Sequence, residues 1–347
     1  MRQNVMEGSG FYNEHSAQQQ EAAAAGIAML RASAGEIPVA GEGPIVVADY
    51  GASQGKNSLH PLRAALAQIR GRDGAGEVDV TVVHTDLPEN DFASLFETVA
   101  HDPETYAGTG VFTYAAGRSF YEQLFPDDTV SLGWSATAVV WLRKTPCPLP
   151  DHLFSYAATG DRRRVWAKAA ADDWETFLRL RSAELRSGGE MVVTTLVSGP
   201  GYLDWMALIE AGARDTLEAG TLDHAELDAM VIPTYIRAPE EFFGAVEGGG
   251  LPLTLVDSTI EVARDPAFEA FKDHRDASRY SHEAVAAYRA WSEPALMSAL
   301  HANRTPNERV AIGDDLYEHT RARLEASPTE CAWRIGLARI RRNARDD

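Results

Sequence analysis

At 347 residues with 45% apolar side chains, the chain can form one large domain or two ordinary ones around a sizeable core. Its 51 acidic against 32 basic residues give a formal charge of −19, which argues against nucleic acid or an anionic membrane as a partner. Cys147 and Cys331 provide neither a disulfide framework nor a metal cluster. The apolar stretch 22–30 is too short to span a bilayer and lacks a basic leader, so no membrane span or signal peptide is expected and a cytoplasmic protein is.

Residues 1–14 are polar and are expected to stay mobile until a ligand or the domain body orders them. An Ala-, Gln- and Leu-rich stretch over 16–34 predicts one helix ending at Gly35. Ile45, Val46, Val47 and Ala48, bounded by Gly43-Pro44 and Gly51, predict a buried parallel strand with Asp49 at its carboxyl end. Gly51 and Gly55 then let the backbone turn tightly and approach a ligand where the crossover helix (58–70) begins. A second strand over 78–84 runs into Asp86-Leu87-Pro88, followed by a short helix over 92–100. Further strands are expected at 111–114, ending in the loop 116–121, at 130–140 just before Trp141, and at 190–197.

Strands alternating with helices predict an α/β fold with a doubly wound, mostly parallel sheet. Beyond Pro200 the segments 201–250 and 262–325 read as a helical cap, and strands near 251–261 and 331–341 return to complete the core of residues 1–200. The last is expected at the edge of the sheet. The arginine runs 162–164 and 341–342 read as solvated helix or tail charges.

The first turn carries two messages. An acid at the end of the first strand favours a cofactor with cationic character or ribose hydroxyls, pointing to S-adenosylmethionine and away from a dinucleotide. Gly51-Ala52-Ser53-Gln54-Gly55 also matches the G-x-S-x-G nucleophile elbow of serine hydrolases, with Ser53 as nucleophile. That elbow would follow the first strand here, without the strands and oxyanion loop that usually precede it. Asp86, 37 positions after Asp49, suits a second cofactor contact at the tip of the next strand, with capping of the following helix as its alternative.

With Thr85-Asp86-Leu87-Pro88-Glu89-Asn90-Asp91-Phe92 in view, the chain resembles the SABATH family of S-adenosylmethionine-dependent carboxyl methyltransferases, whose second strand runs into N-D-L-P-G-N-D-F. The stretches 11–19, 49–57, 119–126, 232–235 with Glu240-Glu241, and 289–294 match further family segments in order, although Arg118 stands where the family has glycine. The resemblance implies a Rossmann-like class I methyltransferase that uses S-adenosylmethionine and releases S-adenosylhomocysteine. It places Tyr12, Gln19, Asp49, Asn57, Asp86, Leu87, Ser119, Phe120 and Ser135 around the cofactor, beside Gly51 of the turn. Gln19 and Trp141 match the pair that holds the substrate carboxylate. No aligned set of metal ligands is found, so no metal is expected, and a homodimer is left open.

The chain departs from the plant-type pattern S-S-Y-S-L-H-W, reading Ser135-Ala136-Thr137-Ala138-Val139-Val140-Trp141. A pocket lined by Ala136, Val139 and Val140, with Trp205, Met206 and Leu208 as further candidate walls, favours an aliphatic chain. The expected substrate is therefore a free fatty acid or similar aliphatic carboxylate, as in bacterial relatives. Methylation of a ring nitrogen or phenol, as elsewhere in the family, is the alternative.

Overall fold

The computed structural model describes residues 6–39, 43–74, 78–150, 152–199 and 204–344, so the cap boundary read at 200/201 lies outside the described residues. The amino-terminal helices are α1 (Phe11–Glu14), α2 (Ala17–Ala25) and α3 (Ile27–Glu36). Next come β1 (Ile45–Tyr50), α4 (Lys56–Arg70), β2 (Val80–Asp86), α5 (Phe92–His101), β3 (Val111–Gly117) and β4 (Val130–Ala136). The long helix α6 (Gly160–Glu184) leads into β5 (Leu185–Leu196), followed by α7 (Asp204–Glu218), α8 (His224–Ala229) and α9 (Pro239–Glu247). The chain closes with β6 (Leu253–Ala263), α10 (Pro266–His274), α11 (Ala277–Met297), α12 (Pro306–Ala326) and β7 (Trp333–Arg342).

Seven strands form one sheet in the order β3-β2-β1-β4-β5-β7-β6, parallel from β3 to β5. All six residues of β1 are buried, as its unbroken apolar run requires of a strand covered on both faces. The chain leaves β1 for β2 on one side and returns with β4 on the other, so β1 and β4 flank a switch point where ligands bind at carboxyl ends. One face carries α2, α3, α4, α7, α11 and α12 in a continuous core. The other carries α6 and α9, with Trp174, Phe177 and Phe242 stacked beneath the strands. No helix among the described residues is long and apolar enough to cross a membrane.

Several expectations are corrected. Residues 6–14 are anchored: Tyr12 is buried, Glu7 N–H donates to the Ala290 carbonyl, and Ser9 N–H donates to Asp91. The single helix over 16–34 is broken at Gly26, where a Cβ would lie 2.5 Å from Thr194 and 2.8 Å from Trp134, so only glycine lets the chain turn against the sheet. β4 stops at Ala136 because Thr137 takes φ 54°, which ends the ladder despite the β-branched residues beyond it.

β7 is an interior strand, antiparallel between β5 and β6, and β6 forms the edge. Arg341 and Arg342 therefore lie in a strand. Arg339 donates to buried Glu190 through Nε (2.7 Å) and Nη2 (3.1 Å), and Arg341 through Nε (2.7 Å). Glu36 of α3 pairs with both arginines, tying the helical layer to the antiparallel end. Glu190→Ala would remove the buried carboxylate shared by both guanidinium groups and leave only the half-exposed Glu36 to answer them, so a loss of about 3 kcal/mol is expected from urea unfolding of the variant against the parent.

Candidate functional site

A cavity of ≈ 580 Å³ opens at the carboxyl ends of β1, β2 and β4. Its floor is the turn after β1, in which Gly51, Ser53 and Gly55 take φ of 81°, 48° and 85°. A Cβ at Gly51 would lie 2.4 Å from that of Ala138, so the turn can lie against the segment after β4 only with glycine there. Gly51 and Ala52 N–H both donate to the Thr85 carbonyl, at 2.9 and 3.1 Å. Asp86 accepts from Ser53 N–H and from Leu87 N–H, both at 2.7 Å, and Asn90 Nδ2 donates to the Ser53 carbonyl at 2.8 Å. The turn is thus latched to the tip of β2. The cap of the following helix, the alternative role for Asp86, is made by Asp91, which accepts from Ser94 N–H. Burial pushes the Asp86 carboxyl up to about 6 against the two N–H donors, and nearby Asp49 adds to the rise.

Asp49 does not reach the cavity. Its carboxylate meets His84 Nδ1 at 2.7 Å across the β1–β2 register, and His84 Nε2 meets the Tyr106 hydroxyl at 2.6 Å, all fully buried. Ser135 and Asn57 also stand behind the wall: Ser135 Oγ donates to the Tyr50 carbonyl and Asn57 accepts from Ser16 Oγ. Tyr12, Gln19, Gly51, Asp86, Leu87, Ser119 and Phe120 do line the cavity. The loop carrying the last two is fixed from behind by buried Arg181, which donates to the Phe120 and Glu122 carbonyls at 2.8 and 2.9 Å.

Ser53 is no nucleophile. An elbow serine needs its hydroxyl hydrogen-bonded to a base, whereas Ser53 Oγ is buried without a partner and its backbone serves Asp86 and Asn90. Asp223, Glu226 and His301 converge elsewhere, where Asp223 caps α8 and Glu226 pairs with Arg304.

The deeper half of the cavity is built by the irregular segment after β4. Thr137 N–H donates to the Thr194 carbonyl (2.8 Å), Trp141 N–H turns back to the Ala138 carbonyl (3.1 Å), and Trp141 then pairs with Thr234 as an isolated antiparallel bridge. The Tyr121 hydroxyl donates to the Trp141 carbonyl at 2.6 Å. Ala136, Val140, Trp141, Trp205 and Met206 face the cavity. Val139 points to the opposite core beside Val46 and Tyr50, and Leu208 packs against the helical core. Gln19, 5% exposed on α2, presents a carboxamide whose Oε1 has no hydrogen-bond partner. Trp291 and Trp333 complete the wall, with Trp205 edge-on to Trp291 at 5.3 Å and Trp141 edge-on to it at 6.5 Å. Nothing in the sequence around either ring marks it as lining the cavity.

Residues 2–327 match the model of the SAM dependent carboxyl methyltransferase family. The chain belongs to that family. Methyltransferase FUS9 of Gibberella moniliformis is 29% identical over 240 residues, covering 67% of this chain and 64% of that protein. The salicylate/benzoate carboxyl methyltransferase of Arabidopsis thaliana is 30% identical over 225 residues, covering 59% of each. The chain spans a little under two thirds of the length of the fungal relatives it matches. A solved loganic acid methyltransferase with SAH shares the fold at a TM-score of 0.78, with 18% identity, 98% of this chain and 99% of that one covered. The relatives are fungal and plant proteins, which leaves the expected bacterial subtype without support.

S-adenosylmethionine is the family's methyl donor, and the polar floor is compatible with it: the Asp86 carboxylate at the tip of β2 is hydrogen-bonded to the glycine turn, and Ser119 lies on the same cavity wall. The Asp86 charge, held in a buried place, has a cost that is present above pH 6 and is relieved as pH falls through the raised carboxyl value. Asp86→Asn removes that charge at every pH. Urea unfolding of the unliganded proteins should therefore show the variant's stability relative to the parent greatest near pH 8 and shrinking towards pH 5.

Proposed function

We propose that this protein transfers the methyl group of S-adenosylmethionine to the carboxylate of a small acid, giving its methyl ester. The supporting observation is what the deeper half of the cavity lacks: its described wall contains no histidine or lysine. The wall carboxylates, Asp86, Glu89 and Glu122, follow β2 and β3, and Glu122 is engaged by Arg118 at 3.0 Å. The phenols of Tyr12 and Tyr121 are pushed well above their ordinary range by burial, which keeps them protonated. A phenol would need a base there. A carboxylic acid of ordinary pKa near ~4–5 is already ionised at neutral pH and needs only orientation.

The bound cofactor supplies an electrophilic sulfonium methyl. Gln19 and Trp141 hold the acid: an amide N–H and an indole N–H can each donate to a carboxylate oxygen, and neither can take a proton from it. Trp141 is fixed through its own backbone, and no partner for its indole N–H is found among the described residues. The apolar walls exclude water from the anion, and alignment of this kind can lower a barrier by roughly 7–11 kcal/mol. Tyr12, Asp86, Leu87, Ser119 and Phe120 are the residues proposed to hold the cofactor. Asp49, Asn57 and Ser135 would act from behind, by fixing the strand ends and α4.

For the acid itself the proposal is an aliphatic chain. Ala136 and Val140 stand beside Trp141, and the place expected of Val139 is taken by Leu196, Met206 and Ile236. Each methylene buried there contributes about 0.8 kcal/mol. The indoles of Trp205, Trp291 and Trp333 favour a planar ring instead, which is the competing reading.

Methyl transfer from labelled cofactor to octanoate, decanoate, benzoate, salicylate and a xanthine decides between them. Faster turnover of decanoate than of benzoate is expected. Turnover of the xanthine alone would sink the carboxyl reading. Trp141→Ala should lower kcat/KM for the best acid by about 10²-fold, in line with a lost orienting donor, while S-adenosylhomocysteine binding by calorimetry stays near the parent value.

A further inference from the structure

Arg237 is a cation with 2% exposure, and no carboxylate stands within ion-pair distance of it among the described residues. Burying an unpaired guanidinium is expensive, so its retention requires a use for its fork of donors. Nη1 donates to the Val139 carbonyl at 2.6 Å and Nη2 to the Ala170 carbonyl of α6 at 2.7 Å, and Cζ lies 5.7 Å from the centre of the Trp174 ring. Its own backbone is anchored too, as the Arg237 carbonyl accepts from Ser198 N–H at 2.9 Å beside a bridge to Val197. One residue therefore joins three elements: its side chain bridges α6 and the turn after β4, and its backbone holds the end of β5.

That turn needs holding. It begins at a threonine in the left-handed region and has left the sheet ladder, yet Ala138, Val140 and Trp141 on either side of Val139 all face the cavity. Tyr121, which clamps the Trp141 carbonyl, is near enough to Arg237 for the guanidinium charge to favour its phenolate against the rise caused by burial. Between α6 and α9 lies a second cavity of ≈ 390 Å³ whose wall includes Arg237, Ala170 and Trp174. Arg237 is not on the wall of the functional cavity, so it acts only through the residues it holds.

We propose that Arg237 is a positioning residue: by bridging the Val139 and Ala170 carbonyls it fixes the turn that presents Trp141 to the acid. The proposal rests on the assignment of Trp141 as an acid-holding residue, and its test includes arms that need no turnover.

Amide hydrogen exchange, titration with S-adenosylhomocysteine, and methyl transfer to whichever acid of the panel reacts are measured on the parent, Arg237→Met and Arg237→Lys. In Arg237→Met, exchange at Trp141 and Leu142 and KM for the acid should each rise about tenfold, as loss of a hydrogen bond from a charged donor implies. S-adenosylhomocysteine affinity and β1 protection should stay near parent values. Arg237→Lys, which keeps the charge but not the fork, should fall between. In a Trp141→Phe background, Arg237→Met should add little further loss.

Unchanged exchange over 138–142 would overturn the proposal, as would acid and cofactor constants worsening together, or full additivity with Trp141→Phe. Should Arg237→Met fail to fold, Arg237→Lys and Tyr121→Phe carry the same readouts. If the parent turns over none of the acids, the exchange and titration arms still decide the role of Arg237, while only the carboxyl reading fails.

Discussion

A carboxylate gripped by two backbone N–H groups organises the site. Asp86 accepts from Ser53 and Leu87, so one side chain joins the turn after β1 to the end of β2. Without it, a turn with positive φ at Gly51, Ser53 and Gly55 would lose its only carboxylate latch to the tip of β2 and rest on the Thr85 carbonyl, Asn90 and Asn13. The turn sets where α4 begins, and its close approach to Ala138 sets where the segment after β4 can run. The two halves of the cavity are therefore in register because they touch at Gly51.

Elsewhere the strongly acidic chain places arginines in its interior. Arg181 sits in the core as an ion pair with Glu184 and holds the loop of Ser119 and Phe120, while Arg339 answers Glu190 at the antiparallel end. Such buried pairs add little net stability over apolar residues of the same shape. What they supply is direction: each guanidinium fork fixes carbonyls or carboxylates whose positions an aliphatic chain would leave loose.

Much of this was legible because local pattern and burial agree. β1 opens with an apolar run that only a doubly covered sheet can bury, β2 and β5 carry shorter apolar segments, and the acids read at the ends of β1 and β2 fell at the carboxyl edge of the sheet. The separate destinies of those acids were not legible, because Asp49 faces His84 only through strand pairing. The end of β4 was hidden by Val139 and Val140, which continue a strand pattern. A threonine at positive φ gives no compositional sign of the break. Once the ladder ends, strict alternation no longer assigns faces: Ala136, Thr137, Ala138, Val140 and Trp141 all meet the cavity, and Val139 the opposite core. Trp291 and Trp333 reach the wall from α11 and β7, and no spacing rule links them to Trp141.

The position of β7 has a consequence for how the chain is made. Among the described residues β6 pairs only with β7, which is made about 70 residues later, so residues 253–263 leave the ribosome without a strand partner. The parallel half of the sheet can form while synthesis continues, but the edge must wait until residues 333–342 are inserted between it and β5. Contacts this distant in sequence slow the final step of folding. During that interval an unpaired strand is open to wrong neighbours. Vectorial synthesis thus makes β7 the keystone of the antiparallel end, laid after both of its neighbours.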